Sequence, residues 1–179
     1  MNLTTERLTL RTFKSQDLRD LLDLYQDEEV CKYLLHEPWD DSTSTELLNE
    51  KINNNELSEA KLLNIACVLR EKVIGDISVW YTDMKETVEI GYVFNPKYSG
   101  RGYASEAVTR VIGYLFSEHN VHRIQAVLDA RNFASAALCQ RVGMRQEAHF
   151  IQDYWSKGEW TDSYVYAILA SEYVKTLLE

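Results

Sequence analysis

The sequence predicts an α/β (α+β) domain built on a mixed sheet, and three observations support this class. Helical and strand patterns are interspersed along the chain, one pair of strands forms a hairpin, and other strands are joined through helices. Of the 179 residues, 45% are hydrophobic, which is enough for one substantial core. No linker rich in proline, glycine or serine divides the chain, so we expect a single domain over residues 1–179.

The first third of the chain is predicted to be mainly helical after one strand. Leu8 and Leu10 alternate with polar neighbours, as in a strand with one face in water. Ser15 is expected to cap a helix that carries leucines and Tyr25 at helical spacing. Three elements follow: a short helix around residues 30–34, a loop over 36–41, and a helix from about 43 to 57.

The remaining two thirds predict the strands of a sheet and the helices that connect them. The predicted strands cover residues 64–69, 73–80, 87–94, 123–128, 145–153 and 161–169. The predicted helices cover residues 105–118, 133–142 and 171–178. Residues 70–72 turn the first pair of strands into a hairpin, and Gly143 ends the second helix.

The charge of the chain argues against polyanionic macromolecular partners. The net charge is −9, and residues 1–60 contain 14 acidic and only 6 basic side chains. Such a protein has no general attraction for nucleic acid or for an anionic membrane. The N-terminal residues lack the apolar segment of a signal peptide, and no stretch approaches the roughly 18 to 20 apolar residues of a membrane span. We therefore expect a cytoplasmic protein without nucleic-acid or membrane partners.

Cysteine and histidine residues predict neither a disulfide framework nor a metal site. Cys31, Cys67 and Cys139 are far apart and form no CxxC pair, and the four histidines show no spacing typical of metal ligands. We expect no metal in the site.

The loop over residues 95–104 is the most informative segment. It follows a strand, contains Gly100 and Gly102, and leads directly into a helix. Glycines allow close approach of the backbone to a ligand, and the amide groups at a helix start favour anions, so the loop can hold a pyrophosphate or be an ordinary turn. Tyr103 after the glycine excludes a Walker loop, and Ser105 at the third glycine position disfavours a dinucleotide loop.

The same segment resembles the acetyl-CoA loop of the GNAT acetyltransferases, with the pattern Arg/Gln-x-x-Gly-x-Gly/Ala. Gly102, Tyr103 and Ala104 match its last three places, while Ser99 occupies the place of the usual arginine or glutamine. Further matches resemble the RimJ/RimL type, the ribosomal-protein N-terminal acetyltransferase-like branch. They cover residues 5–11 (TERLTLR), 73–77 (VIGDI), 89–93 (EIGYV), 132–135 (NFAS), 142–144 (VGM) and 162–169 (DSYVYAIL).

This resemblance implies a fold, a cofactor and residues that bind it. The fold is a twisted, mostly antiparallel sheet of about six or seven strands with helices on both faces, and the cofactor is acetyl-CoA. Backbone groups of Tyr92, Val93 and Phe94 would contact the pantetheine arm and the acetyl carbonyl. Main-chain amides of Ser99, Gly100, Arg101, Gly102, Tyr103 and Ala104 would surround the pyrophosphate. Asn132 would contact the lower arm of the cofactor, or it caps the following helix, and both roles are compatible.

The resemblance also implies an acetyl transfer to an amine, for which two catalytic residues are candidates. Glu89 lies on the strand beside the expected cofactor slot and could accept the amine proton, directly or through water; the alternative is a structural polar residue. Cys139 stands where many family members have the tyrosine that protonates the thiolate, so Ser135 is the candidate donor. The alternatives are a packing or capping role for Ser135 and protonation by solvent.

The acceptor is expected to be a primary amine, either a protein N-terminus or a small cationic amine. Trp39 lies in the loop that, by resemblance, lines the acceptor side, and the acidic first third could attract such amines. The competing hypothesis is a non-catalytic CoA-binding sensor or scaffold with the same fold. The sequence leaves a homodimer open as the oligomeric state.

Overall fold

The computed structural model describes residues 1–173 of the chain, and these residues form two compact units. The first unit comprises residues 1–80 and 91–110, and the second comprises residues 81–90 and those from 111 onward. Each is described separately below.

The first unit contains antiparallel strands and three complete helices. The strands are β1 (Asn2–Thr4), β2 (Thr9–Arg11), β3 (Asn55–Ser58), β4 (Lys61–Leu69) and β5 (Lys72–Tyr81). They pair in the order β1-β2-β4-β5, and β3 also pairs with β4. The helices are α1 (Leu18–Tyr25), α2 (Glu28–Cys31) and α3 (Ser44–Asn53). Their apolar side chains pack on the β4 and β5 residues Ala66, Val68 and Val73.

The start of α1 differs from the prediction that Ser15 caps it. Residues Ser15–Asp17 form a 3-10 turn ahead of the helix, and no side-chain capping bond from Ser15 is present. The Asp17 carboxylate instead accepts the backbone N–H of Lys14 at 2.8 Å and pairs with the Arg11 guanidinium at 2.7 Å. The buried Asp17 therefore organises this turn.

The end of α3 also differs from the predicted helix over 43–57. The helix ends at Asn53, and the Asn54 N–H donates to the Glu50 carbonyl at 3.0 Å. Residues Asn55–Ser58 instead pair with β4. A short run of asparagines does not sustain a helix, and tertiary pairing with β4 takes over.

The predicted hairpin is confirmed between β4 and β5. Arg70 and Glu71 form its turn with φ values of 48° and 72°, and positive φ at both positions is typical of a type I′ hairpin turn. The predicted strand over 87–94 is β6 (Thr87–Phe94), which starts in the second unit and ends in the first. After the glycine loop, α4 (Tyr103–Glu118) begins two residues earlier than predicted.

The second unit combines parallel and antiparallel pairing. Its further elements are β7 (Arg123–Asp129), α5 (Phe133–Arg141), β8 (Arg145–Ser156) and β9 (Glu159–Leu169). The strand order is β6-β7-β9-β8, with β6 parallel to β7 and the other pairs antiparallel. Residues 170–173 are helical, and the rest of the helix predicted over 171–178 lies outside the described residues. Residues 1–173 thus contain nine strands; the short β1 and β3 were not predicted.

No helix within residues 1–173 is both long and apolar enough to cross a membrane.

Candidate active site

The glycine loop between β6 and α4 is held at its start by Asn95. The buried Asn95 donates its N–H to the Ile74 carbonyl at 2.9 Å, and its side chain accepts the Lys97 N–H at 3.0 Å. Pro96–Tyr98 form a 3-10 turn, in which the Ser99 N–H donates to the Pro96 carbonyl at 3.0 Å. The amide of Ser99 is therefore already used inside the loop.

The two glycines give the rest of this loop its shape. Gly100 and Gly102 have φ values of 71° and 80°, which side-chain-bearing residues adopt only with strain. A Cβ atom at Gly100 would have no neighbour within 4 Å, so the backbone here is open to a ligand. The first bond of α4 runs from the Glu106 N–H to the Gly102 carbonyl at 3.0 Å, so the amides of Tyr103 and Ala104 precede the helical ladder.

The chemistry of this loop fits a pyrophosphate group. Successive backbone amides in a turn with positive φ, followed by a helix start, form a concave anion site. The exposed Arg101 and Lys97 add positive charge to the same segment. The residues from Gly100 to Ala104 are thus suited to a polyanionic ligand.

The end of β6, expected to contact the pantetheine arm, packs tightly within the first unit. The side chains of Tyr92, Val93 and Phe94 are half-buried. A Cβ atom at Gly75 would lie 2.3 Å from the Phe94 ring, so β5 needs glycine there. Val93 packs against the apolar cluster that contains Trp39.

Glu89 lies earlier on β6, in the second unit, and is half-buried. Gln125 on β7 donates from its Nε2 to Glu89 Oε2 at 2.9 Å, in keeping with the parallel register that places these two residues opposite each other. Burial raises the pKa of Glu89, and the hydrogen bond from Gln125 only partly opposes it. A carboxylate with a raised pKa is a better proton acceptor than an exposed one.

The beginning of α5 carries Asn132 and Ser135. Asn132 caps the helix, because its side chain accepts the Ser135 N–H at 3.0 Å. The capping role considered from the sequence is confirmed, and the predicted contact of Asn132 with the cofactor stays a prediction. Cys139 is 0% exposed in the same helix, so its thiol belongs to the core.

Trp39 is also a core residue, with 7% of its surface exposed. Its ring stacks on Tyr25 at 4.6 Å between centroids, and its backbone N–H donates to the Tyr25 carbonyl at 2.9 Å. The Tyr25 hydroxyl donates to Asp76 Oδ2 at 2.7 Å, and Lys51 Nζ lies 2.6 Å from the same oxygen. Asp76 is 1% exposed, and its other oxygen has no hydrogen-bond partner. Trp39 thus has a packing role, and its predicted substrate contact stays a prediction.

The predicted residues are distributed over both units. The first unit contains the glycine loop, the end of β6 and Trp39, and the second contains Glu89, Asn132 and Ser135. Sequence reasoning missed two partners, Gln125 beside Glu89 and Arg7 beside Glu106. Arg7 lies in the TERLTLR segment, so its position was visible and its contact was not. Within the described part of the chain, no group of three or more histidine, cysteine, aspartate and glutamate side chains could hold a metal ion.

Comparison with known proteins identifies the family. The acetyltransferase (GNAT) domain model matches residues 7–145. The chain belongs to the GNAT acetyltransferase family. This confirms the predicted family, the mixed, mostly antiparallel fold, the enzyme class of N-acetyltransferase, and acetyl-CoA as the acetyl donor.

Three similar proteins support this GNAT assignment. The uncharacterized N-acetyltransferase YnaD of Bacillus subtilis (strain 168) is 33% identical over 175 residues, covering 97% of this chain and 99% of YnaD. A GNAT-family acetyltransferase structure from Bacillus anthracis has a TM-score of 0.85 at 32% identity, covering 96% of this chain and 99% of that one. The spermidine N(1)-acetyltransferase of Vibrio cholerae is 25% identical over 178 residues, covering 94% of this chain and 96% of that enzyme.

Proposed function

We propose that this GNAT enzyme transfers the acetyl group of acetyl-CoA to a primary amine by direct attack in a ternary complex. The amine is a small cationic amine or a protein N-terminus. The observation that carries the proposal is the loop with Gly100 and Gly102 at positive φ ahead of α4, since its open backbone suits a pyrophosphate. The sequence similarity to a spermidine acetyltransferase supports the choice of a cationic amine.

The donor is proposed to lie against residues of the first unit. The amides from Gly100 to Ala104 and the charge of Arg101 hold the pyrophosphate, and the backbone of Tyr92–Phe94 holds the pantetheine arm. Ser99 would contact the pyrophosphate through its side chain, because its backbone N–H already donates a hydrogen bond to the Pro96 carbonyl. Acetyl-CoA supplies the acetyl group as a thioester, which is activated for attack by an amine.

Glu89 and Ser135 are the proposed proton acceptor and proton donor of the reaction. The ammonium form of the acceptor first loses a proton to solvent. The neutral amine nitrogen then forms a bond with the acetyl carbon while the bond from carbon to sulfur breaks, and one further proton must leave the nitrogen. Glu89 accepts that proton directly or through water, for which its raised pKa is suited. The Ser135 hydroxyl, or solvent, donates a proton to the departing sulfur. Placing the reactants together supplies much of the rate.

The test measures thiol release from acetyl-CoA with a panel of polyamines, other small amines and peptides, alongside CoA binding by calorimetry. Turnover with at least one amine is expected. CoA binding with no turnover across the panel would instead support the sensor or scaffold hypothesis, which the buried Cys139 in place of a catalytic tyrosine keeps open.

A Gly102→Glu variant tests the loop itself. Gly102 has a φ of 80°, so glutamate adds both backbone strain and a negative charge at the anion site. CoA binding should be lost while the protein stays folded in circular dichroism. The matched control is Gly158→Glu, which changes a glycine of similar φ, 84°, in the β8–β9 turn and should leave CoA binding intact. Unimpaired CoA binding by the Gly102 variant would contradict the loop assignment.

A further inference from the structure

Arg7, near the start of the chain, contacts the glycine loop and the beginning of α4. Its Nη1 donates to the Arg101 carbonyl at 2.9 Å, and its Nε donates to Glu106 Oε2 at 2.6 Å. The Arg7 guanidinium also lies over the Tyr103 ring, 4.5 Å from the centroid. One side chain thus contacts three residues of the loop and the first turns of α4.

The bond to the Arg101 carbonyl orients a peptide group that matters for anion binding. In a trans peptide the C=O and the following N–H point in opposite directions. With the Arg101 carbonyl directed to Arg7, the Gly102 N–H must point away from Arg7. A Cβ atom at Gly102 would lie 3.4 Å from Arg7 Nη2, so the guanidinium lies beside this peptide group.

The bond to Glu106 places a cation beside the one carboxylate in this segment. Glu106 accepts the Thr5 hydroxyl at 2.5 Å and the Arg7 N–H at 2.8 Å, in addition to the Arg7 guanidinium. Partial burial acts to raise the pKa of Glu106, but the hydrogen bonds from Thr5 and Arg7 outweigh it and lower the pKa. Glu106 is therefore ionised at neutral pH, and without Arg7 its charge would repel a phosphate at the helix start.

We propose that Arg7 is a positioning residue for donor binding, which fixes the Arg101–Gly102 peptide in its anion-binding orientation and cancels the charge of Glu106. The proposal rests on the proposed function, in which this loop holds the pyrophosphate of acetyl-CoA. Arg7 itself acts through the loop and through Glu106.

The first experiment replaces Arg7 by glutamine and compares two acetyl donors. Acetyl-CoA carries the pyrophosphate, whereas S-acetylpantetheine lacks it. The R7Q variant should raise the Kd for CoA and the KM for acetyl-CoA by about tenfold, with kcat close to that of the wild type. Its kcat/KM with S-acetylpantetheine should match the wild-type value. The control is R19Q, which removes an exposed arginine of α1 and should not change the kinetic constants for either donor.

The second experiment separates charge cancellation from general loop support. In R7Q the Glu106 carboxylate is left without its cation, so adding E106Q should recover part of the lost CoA affinity. A merely structural role predicts that the double variant binds CoA no better than R7Q. R7K, which keeps the charge but not the forked geometry of the guanidinium, should fall between R7Q and the wild type.

The outcomes distinguish this proposal from the proposed function. If wild-type protein binds no CoA and turns over neither donor, the proposed function fails. If the wild type binds CoA and folded R7Q binds it equally well, the positioning role of Arg7 is overturned. If R7Q melts below the assay temperature, R7K and E106Q replace it in the thermal melts and CoA titrations. A wild-type affinity of R7K for CoA would then overturn the role proposed for the forked guanidinium of Arg7.

Discussion

Replacing Glu89 by glutamine tests the proposed general base with the smallest change of shape. The amide keeps the volume of the carboxyl group, and its oxygen can still accept the hydrogen bond that Gln125 Nε2 donates at 2.9 Å. What is lost is the capacity to accept a proton. A positioned base contributes about 10²- to 10⁴-fold to the rate, so kcat should fall by that factor, which corresponds to about 3 to 5 kcal/mol of barrier.

The pH profile of the wild type carries a second signature of Glu89. Burial raises its pKa, with the Gln125 bond opposing, and a base acts only in its ionised form. The kcat/KM should therefore rise with pH through an acid limb that lies above the ordinary glutamate pKa of about 4.3. The acceptor amine adds a more alkaline limb that wild type and variant share. Thiol release followed between about pH 5 and pH 9 resolves both limbs.

The raised pKa of Glu89 also predicts that the E89Q variant is more stable than the wild type at neutral pH, although it is less active. The stabilisation linked to a raised carboxyl pKa is fully present below the unfolded pKa and is lost as pH rises through the folded pKa. At neutral pH the ionised Glu89 is poorly solvated, so E89Q should melt at a higher temperature than the wild type. This difference should shrink as the pH falls below the ordinary glutamate pKa of about 4.3 and be smallest near about pH 3, where the carboxyl group is largely protonated in both states.

An exposed glutamate supplies the control for Glu89. E59Q, in the turn between β3 and β4, should change neither the acid limb nor the melting temperature. Full turnover by E89Q over the whole pH range would refute the base assignment. A lower melting temperature for E89Q at neutral pH would refute the account of its pKa.

Three further predictions concern stability, capping and substrate attraction. Asp76→Ala leaves the Lys51 charge and the Tyr25 hydroxyl without their buried partner. The free energy of unfolding, measured in urea titrations, should therefore fall by about 3 to 5 kcal/mol, and a loss below about 1 kcal/mol would contradict this. Asn132→Ala removes the cap on the Ser135 N–H and should lower the free energy of unfolding by about 1 kcal/mol, whereas Asn132→Asp, which can still cap, should cost less. Added salt should lower kcat/KM for a polyamine because it screens the acidic first third of the chain, and a salt-independent value would count against that attraction.

The elements that sequence predicted well are those with strong local patterns. The strand over 87–94 has the predicted bounds because apolar residues alternate through Val88 and Ile90, both buried. The helix over 133–142 was delimited by a cap at Asn132 and by Gly143, whose φ is 86°. The end of α3 was missed because β3 exists only through its pairing with β4, which no local pattern indicates.

The candidate site shows the same division between local and distant information. The glycine loop could be predicted because the residues that determine its conformation are close together in the sequence. The contact of Arg7 with Glu106 joins residues 99 positions apart, and the contact of Gln125 with Glu89 joins residues 36 positions apart. Both depend on the register of the folded chain, so a single sequence shows the residues and not the contacts.

Two glutamates of this enzyme show how environment separates their roles. Glu106 accepts hydrogen bonds from Thr5 and from the Arg7 cation, which lower its pKa and keep it charged and paired. Glu89 has a neutral amide as its hydrogen-bonding neighbour and is half-buried, which raises its pKa. Carboxylates whose pKa values are displaced in opposite directions differ in what they can do: a paired one fixes structure, and a poorly solvated one exchanges protons. On this ground we propose that Glu106 supports the loop that binds the donor, and that Glu89 is the carboxylate of these two that acts as a base.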